Sequence, residues 1–115
     1  MTTPALDFEQ LAEETARSGE EWSRLDHAFR LLRATKDVVY ARLVMAQRAR
    51  RAGPKAEVEA TVKGSVEWLE FVTALVDAET KANEAKLIWK LGQARYDGAR
   101  SANAARNAEL RNLGG

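Results

Sequence analysis

From Trp68 almost to the end of the chain, apolar side chains return every seventh residue. Trp68, Leu75, Ala82, Trp89, Tyr96, Asn103 and Leu110 make one row, and Phe71, Ala78, Ala85, Gly92, Ala99, Arg106 and Leu113 follow three residues behind. Only Gly92, Asn103 and Arg106 interrupt the apolar character of the two rows. A 3-4 spacing of this length keeps one stripe on one side of an α-helix and forms a coiled-coil-like seam. In a strand, with its period of two, the same residues would be scattered over both faces. Ser65 stands where an N-cap is needed, after Gly64, which weakens any helix arriving from upstream. The pattern therefore predicts a helix over about 66–112.

The first half repeats the arrangement. Phe8, Thr15, Trp22, Phe29, Lys36, Leu43 and Arg50 form one row, with Leu11, Ser18, Leu25, Leu32, Val39 and Ala46 on the other. Asp7 or the Thr2-Thr3-Pro4 segment can open this helix, and Gly53-Pro54 closes it. The expectation is a helix over about 7–52, with a break or kink offered at Gly19 in "ARSGEEW". Between the two lies a connector over about 53–65. Its alternating Val58, Ala60 and Val62 suit a short strand, and a helical turn starting at Pro54 suits them equally.

A short connection makes the two helices run antiparallel, and the charge pattern favours the same pairing. The net charge is only +1 over 115 residues, but it is segregated: residues 1–27 carry −5, residues 28–55 carry +7, residues 56–84 carry −5 and residues 85–115 carry +4. Folded back on itself, the chain sets acidic blocks beside basic ones, whereas a parallel pairing sets like against like. The fold expected is thus all-α, a single domain over 1–115 in which two long helices form an antiparallel coiled-coil-like hairpin. Trp22, Trp68 and Trp89, with Tyr40 and Tyr96, belong to its packing. A second apolar stripe is left over, made of Leu31, Val38 and Met45 on the first helix and Val72, Val76, Leu87, Ile88 and Leu91 on the second. That much apolar surface predicts self-association, most simply a dimer that builds a four-helix bundle.

Little in the chain points to catalysis or to a cofactor. With no cysteine, disulfides, thiolate metal sites and cysteine nucleophiles are excluded. The one histidine, His27, has Arg24 three residues before it, so the Glu-x-x-His pairs of di-iron bundles are missing. Glu13-Glu14 and Glu20-Glu21 are sequence neighbours, which point about 100° apart on a helix and make an acidic face. Phosphate-cradling glycine loops and the His-Glu-x-x-His and Gly-x-Ser-x-Gly motifs do not occur. No run approaches the roughly 18 apolar residues of a membrane span, and the N-terminus lacks the pattern of an export signal. A noncatalytic protein of the cytoplasm is expected, without metal or cofactor.

The bases are the remaining functional signal. Arg48, Arg50, Arg51 and Lys55 gather around Gly53-Pro54, and Arg100, Arg106 and Arg111 follow on the second helix. Such residues can hold nucleic-acid phosphates without reading sequence. In a single chain the stronger reading is that they neutralise acids of the partner helix and complement helix C-terminal dipoles, while a dimer can bring the two basic ends together into a larger patch.

The stretch "ETKANEAKLIWKLGQARYDGARSANAARNAELRNL", with "EVEATVKGSVEWLEFVTAL" upstream, resembles small all-helical proteins of bacteriophages and prophages encoded among replication and recombination genes. The shared pattern falls on Arg100, Ser101, Ala104 or Ala105, Arg106, Glu109 and Leu110. The resemblance covers roughly the last 60 residues. It implies an accessory protein of DNA metabolism in the bacterial host cytoplasm, with DNA or a recombination protein as partner. It carries over no catalytic residue.

Overall fold

The computed structural model describes residues 4–114, with side chains for residues 8–114. Three helices account for nearly all of it: α1 over Pro4–Arg50, α2 over Lys55–Lys63 and α3 over Val66–Gly114. No strand occurs among the described residues. The chain is all-α. It divides into two units, one of Met1–Arg24 with Asn83–Gly115, the other of Leu25–Ala82.

In the first unit α1 and α3 run antiparallel, since rising positions on α1 meet falling positions on α3. The Phe8 and Tyr96 rings lie 4.9 Å apart, Thr15 meets Gly92, and Trp22 stacks on Trp89. The residues that pack are those of the two seven-residue rows: Phe8, Leu11, Thr15, Ser18 and Trp22 on α1, and Ala85, Trp89, Gly92, Tyr96 and Ala99 on α3 are buried or half-buried. Polar members of the seam are satisfied within their own helix. The Thr15 hydroxyl donates to the Leu11 carbonyl at 2.7 Å, and Ser18 donates to that of Glu14 at 2.9 Å.

Gly19 does not break α1, which is a continuous helix through this point. Its role lies across the seam. A Cβ at Gly19 would stand 2.9 Å from Nε1 of Trp89, so the missing side chain is what lets the indole lie against the α1 backbone.

The second unit holds the end of α1, all of α2 and the start of α3. Leu25, Phe29, Leu32, Val39 and Leu43 are half-buried on α1, as are Trp68, Phe71, Leu75 and Ala78 on α3. Tyr40 meets Trp68 edge-on with ring centroids 5.1 Å apart, and Trp68 stacks on Phe71. The connector is a helix. Pro54 takes the N-cap of α2 with φ −57° and ψ 145°, and Val58 and Val62, one turn apart, turn inward to 3% exposure each. The choice between strand and helix is decided by these two valines: a helix puts residues four apart on one face, and that face finds cover.

The turn into α3 centres on Ser65. Its Oγ donates to the Val62 carbonyl at 2.6 Å and accepts from the Trp68 N–H at 3.2 Å, closing one helix and capping the next. Neither Gly53 nor Gly64 takes a positive φ, so these helices end without a left-handed cap. Among the described residues the fully buried set is small: Val58, Val62, Ala82 and Ala85. The large side chains remain half-exposed, as the thin seam of a helix pair requires.

Candidate functional site

The seven-residue rows run the length of the sequence, but packing does not follow them to the end. Past Ala99 every described side chain of α3 is exposed, including Asn103, Arg106 and Leu110 of the rows, and Leu113 reaches 84%. Arg100, Arg106 and Arg111 lie on this exposed stretch of the first unit.

Arg48, Arg50, Arg51 and Lys55 belong to the second unit. Arg48 and Arg50 sit in the last turn of α1, where positive charge complements the helix dipole, and Lys55 opens α2. All four are exposed. Arg50 shares a small cleft with Glu67, and Arg51 shares another with Glu57. None of the seven candidate bases makes an ion pair within 4 Å among the described residues. The pairs found there, Arg24 with Glu21, Arg30 with Asp26 and Lys81 with Asp77, each join residues of one helix. The Glu21 contact is a hydrogen-bonded one and pushes the Arg24 guanidinium further above its usual range. Among the described residues, direct pairing thus stays within single helices.

The leftover apolar stripe is exposed at nearly every candidate position. Leu31, Val38, Met45 and Val76 stand open in the second unit, as do Leu87, Ile88 and Leu91 in the first; only Val72 is half-buried. Two further members, Val66 and Leu69, were not in the expected set and are exposed at 67% and 52%. The signal for them is in the sequence: Val66, Leu69, Thr73, Val76 and Thr80 repeat the 3-4 spacing one face away from the packed rows. On α1 the matching set is Leu31, Ala34, Val38, Ala41 and Met45, all exposed. Leu31 lies about 100° from Leu32 and about 200° from Phe29 around the helix, which places this second stripe roughly opposite the seam. Sharing Ala41 and Met45 with it, a shallow, largely apolar groove of 570 Å³ is lined by these two with Tyr40, Val44 and Trp68 and by the charged Lys36, Asp37 and Lys63.

His27 is exposed, and no group of three His, Asp or Glu side chains gathers in a metal-holding arrangement among the described residues. No described helix is long and apolar enough to cross a membrane. No family model, curated protein or solved structure matches the chain.

Proposed function

We propose that this chain acts by binding and not by catalysis, as a self-associating helical scaffold whose partner is DNA or a protein of DNA metabolism. The observation that carries the reading is the second 3-4 stripe on α1, Leu31 to Met45, which stays in water while the first stripe is packed. Contiguous apolar surface with helical spacing is the surface on which helices associate. In the simplest assembly two copies combine their long helices into a four-helix bundle. On the resemblance of the C-terminal half, the protein is an accessory factor of phage or prophage replication and recombination, working in the host cytoplasm.

Light scattering over a wide concentration range, in low and moderate salt and with and without single-stranded DNA, tests both parts. Apolar association survives salt, whereas phosphate contacts weaken with it. A chain that stays monomeric throughout removes the scaffold. For the nucleic-acid part, changing Arg48, Arg50 and Arg51 to Gln should weaken binding and flatten its salt dependence by roughly one unit of slope per lost phosphate contact. An unchanged affinity would mean that these bases are not the DNA contact.

The second reading is an adaptor or inhibitor that docks a partner helix and ignores nucleic acid. The groove bordered by Tyr40, Met45 and Trp68 favours it, since a helix-in-groove contact needs such an apolar channel.

A further inference from the structure

The exposed stripes of the second unit differ in what borders them. On α1, Leu31, Ala34, Val38, Ala41 and Met45 are flanked by Arg30 and Arg42 and followed by Arg48, with Asp37 as the one acid. On α3, Val66, Leu69, Thr73, Val76 and Thr80 are flanked by Glu70, Asp77 and Glu79, with no base at the bordering positions. Both stripes have the same 3-4-3-4 spacing and the same length, about 21 Å at 1.5 Å per residue. Resting on the self-association reading, we propose that the basic-bordered stripe of α1 docks on the acid-bordered stripe of α3 in a second copy of this chain.

Three features support this occupant. The borders are complementary between the two stripes and repulsive within each kind, so α1 on α1 sets arginines together and α3 on α3 sets carboxylates together. Arg30 is tied to Asp26 and Asp77 to Lys81 on their own helices, which leaves Arg42 and Arg48 on one side and Glu70 and Glu79 on the other as the groups open to a partner. Sizes are complementary as well. Ala34 and Ala41 leave hollows between the larger residues of α1, and Leu69 and Val76 are the bulky members of α3. Finally, the two threonines of the α3 stripe are already satisfied: Thr73 donates to the Leu69 carbonyl at 2.8 Å and Thr80 to the Val76 carbonyl at 3.0 Å. Their methyl groups are free to be covered without stranding a hydroxyl.

Each copy then carries one face of each kind. Because each stripe lies roughly opposite its own seam, the contact is head-to-tail, and every copy that docks leaves one stripe open to a further copy.

Charge reversal tests the pairing. One chain carries Arg42→Glu and Arg48→Glu, the other Glu70→Arg and Glu79→Arg; all four sites are exposed, and circular dichroism with thermal unfolding checks that both chains keep the native fold. Each chain alone should remain monomeric at concentrations where the native chain associates. Mixed one to one, they should associate as the native chain does, because each supplies the face that the other now needs. If either reversed chain alone associates like the native one, or the mixture stays monomeric, the pairing is wrong while self-association stands. A native chain that never associates overturns both.

Discussion

The indole rings of Trp22 and Trp89 stack with centroids 4.8 Å apart and planes 18° from parallel, and the same Trp89 rests its Nε1 against the backbone of Gly19. One α1 turn thus supplies a ring on which Trp89 stacks and a bare backbone on which it sits. Adding a methyl at Gly19 sets two effects against each other. Ala raises helix propensity by about 1 kcal/mol over Gly in a helix interior. Against that, a Cβ at 2.9 Å from a rigid ring forces a shift that typically costs about 1–3 kcal/mol. Gly19→Ala should therefore lower the midpoint of urea unfolding, and a raised midpoint would show that the indole moves freely.

Gly98 makes the control. It lies in α3 with nothing within 4 Å of where a Cβ would be. Gly98→Ala should stabilise by about 0.5–1 kcal/mol, since propensity acts there without opposition. The contrast in sign between two glycine-to-alanine changes in long helices, read in the same denaturant series, isolates the contact at Trp89.

Truncating either tryptophan to Ala should cost about 2–3 kcal/mol, less than the roughly 3–5 kcal/mol of a buried Trp because both rings are half-exposed. The double variant should cost less than the sum of the two by about 1 kcal/mol, the part that belongs to the stack itself. Strict additivity would mean that the rings are neighbours without mutual attraction.

How far the sequence disclosed all this depends on the kind of signal. The packed rows were legible from Phe8 to Leu43, apart from Lys36, which is exposed, and residue by residue from Trp68 to Ala99, because periodicity reports a face directly. Where packing stops was not legible, since Leu110 and Leu113 keep the period with nothing shown over them; a repeat states which face is apolar and not whether it is covered. Gly19 looked like a break for a similar reason. Propensity is a local quantity, and the reason for a glycine there sits on another helix, at Trp89. Val58 and Val62 fit either period until their burial chose one. Among the functional candidates, exposure of the arginines and of the Leu31–Met45 stripe followed from the pattern, while Val66 and Leu69 needed the second spacing on α3 to be noticed.

Ser65 carries two hydrogen bonds through one oxygen, donating to Val62 and accepting from Trp68. Ser65→Ala should cost about 1 kcal/mol, as loss of an N-cap does. Ser65→Asp restores the acceptor for the Trp68 N–H but opposes a carboxylate to the Val62 carbonyl, so it should fall between serine and alanine. Thermal unfolding of the three chains gives the order; aspartate equal to serine would show that only the cap matters.

Removing residues 100–115 should leave the thermal midpoint within a few degrees of the full chain, because every described side chain in that stretch is exposed. The helical circular dichroism signal should fall with the length removed. A large drop in midpoint would reveal that the stretch supports the fold.

The aromatic contacts also set an order of assembly. Tyr40 and Trp68 are 28 positions apart along the chain, whereas Phe8 and Tyr96 are 88 apart. Closing the longer loop from an open chain costs about 1 kcal/mol more in configurational entropy than closing the shorter one. Once Ser65 and α2 have reversed the chain and Tyr40 has met Trp68, each further contact toward the ends closes only a small additional loop. Folding should therefore start at the turn and zip outward, with Trp22 and Trp89 meeting late; variants there should speed unfolding, and variants at Tyr40 or Trp68 should slow folding.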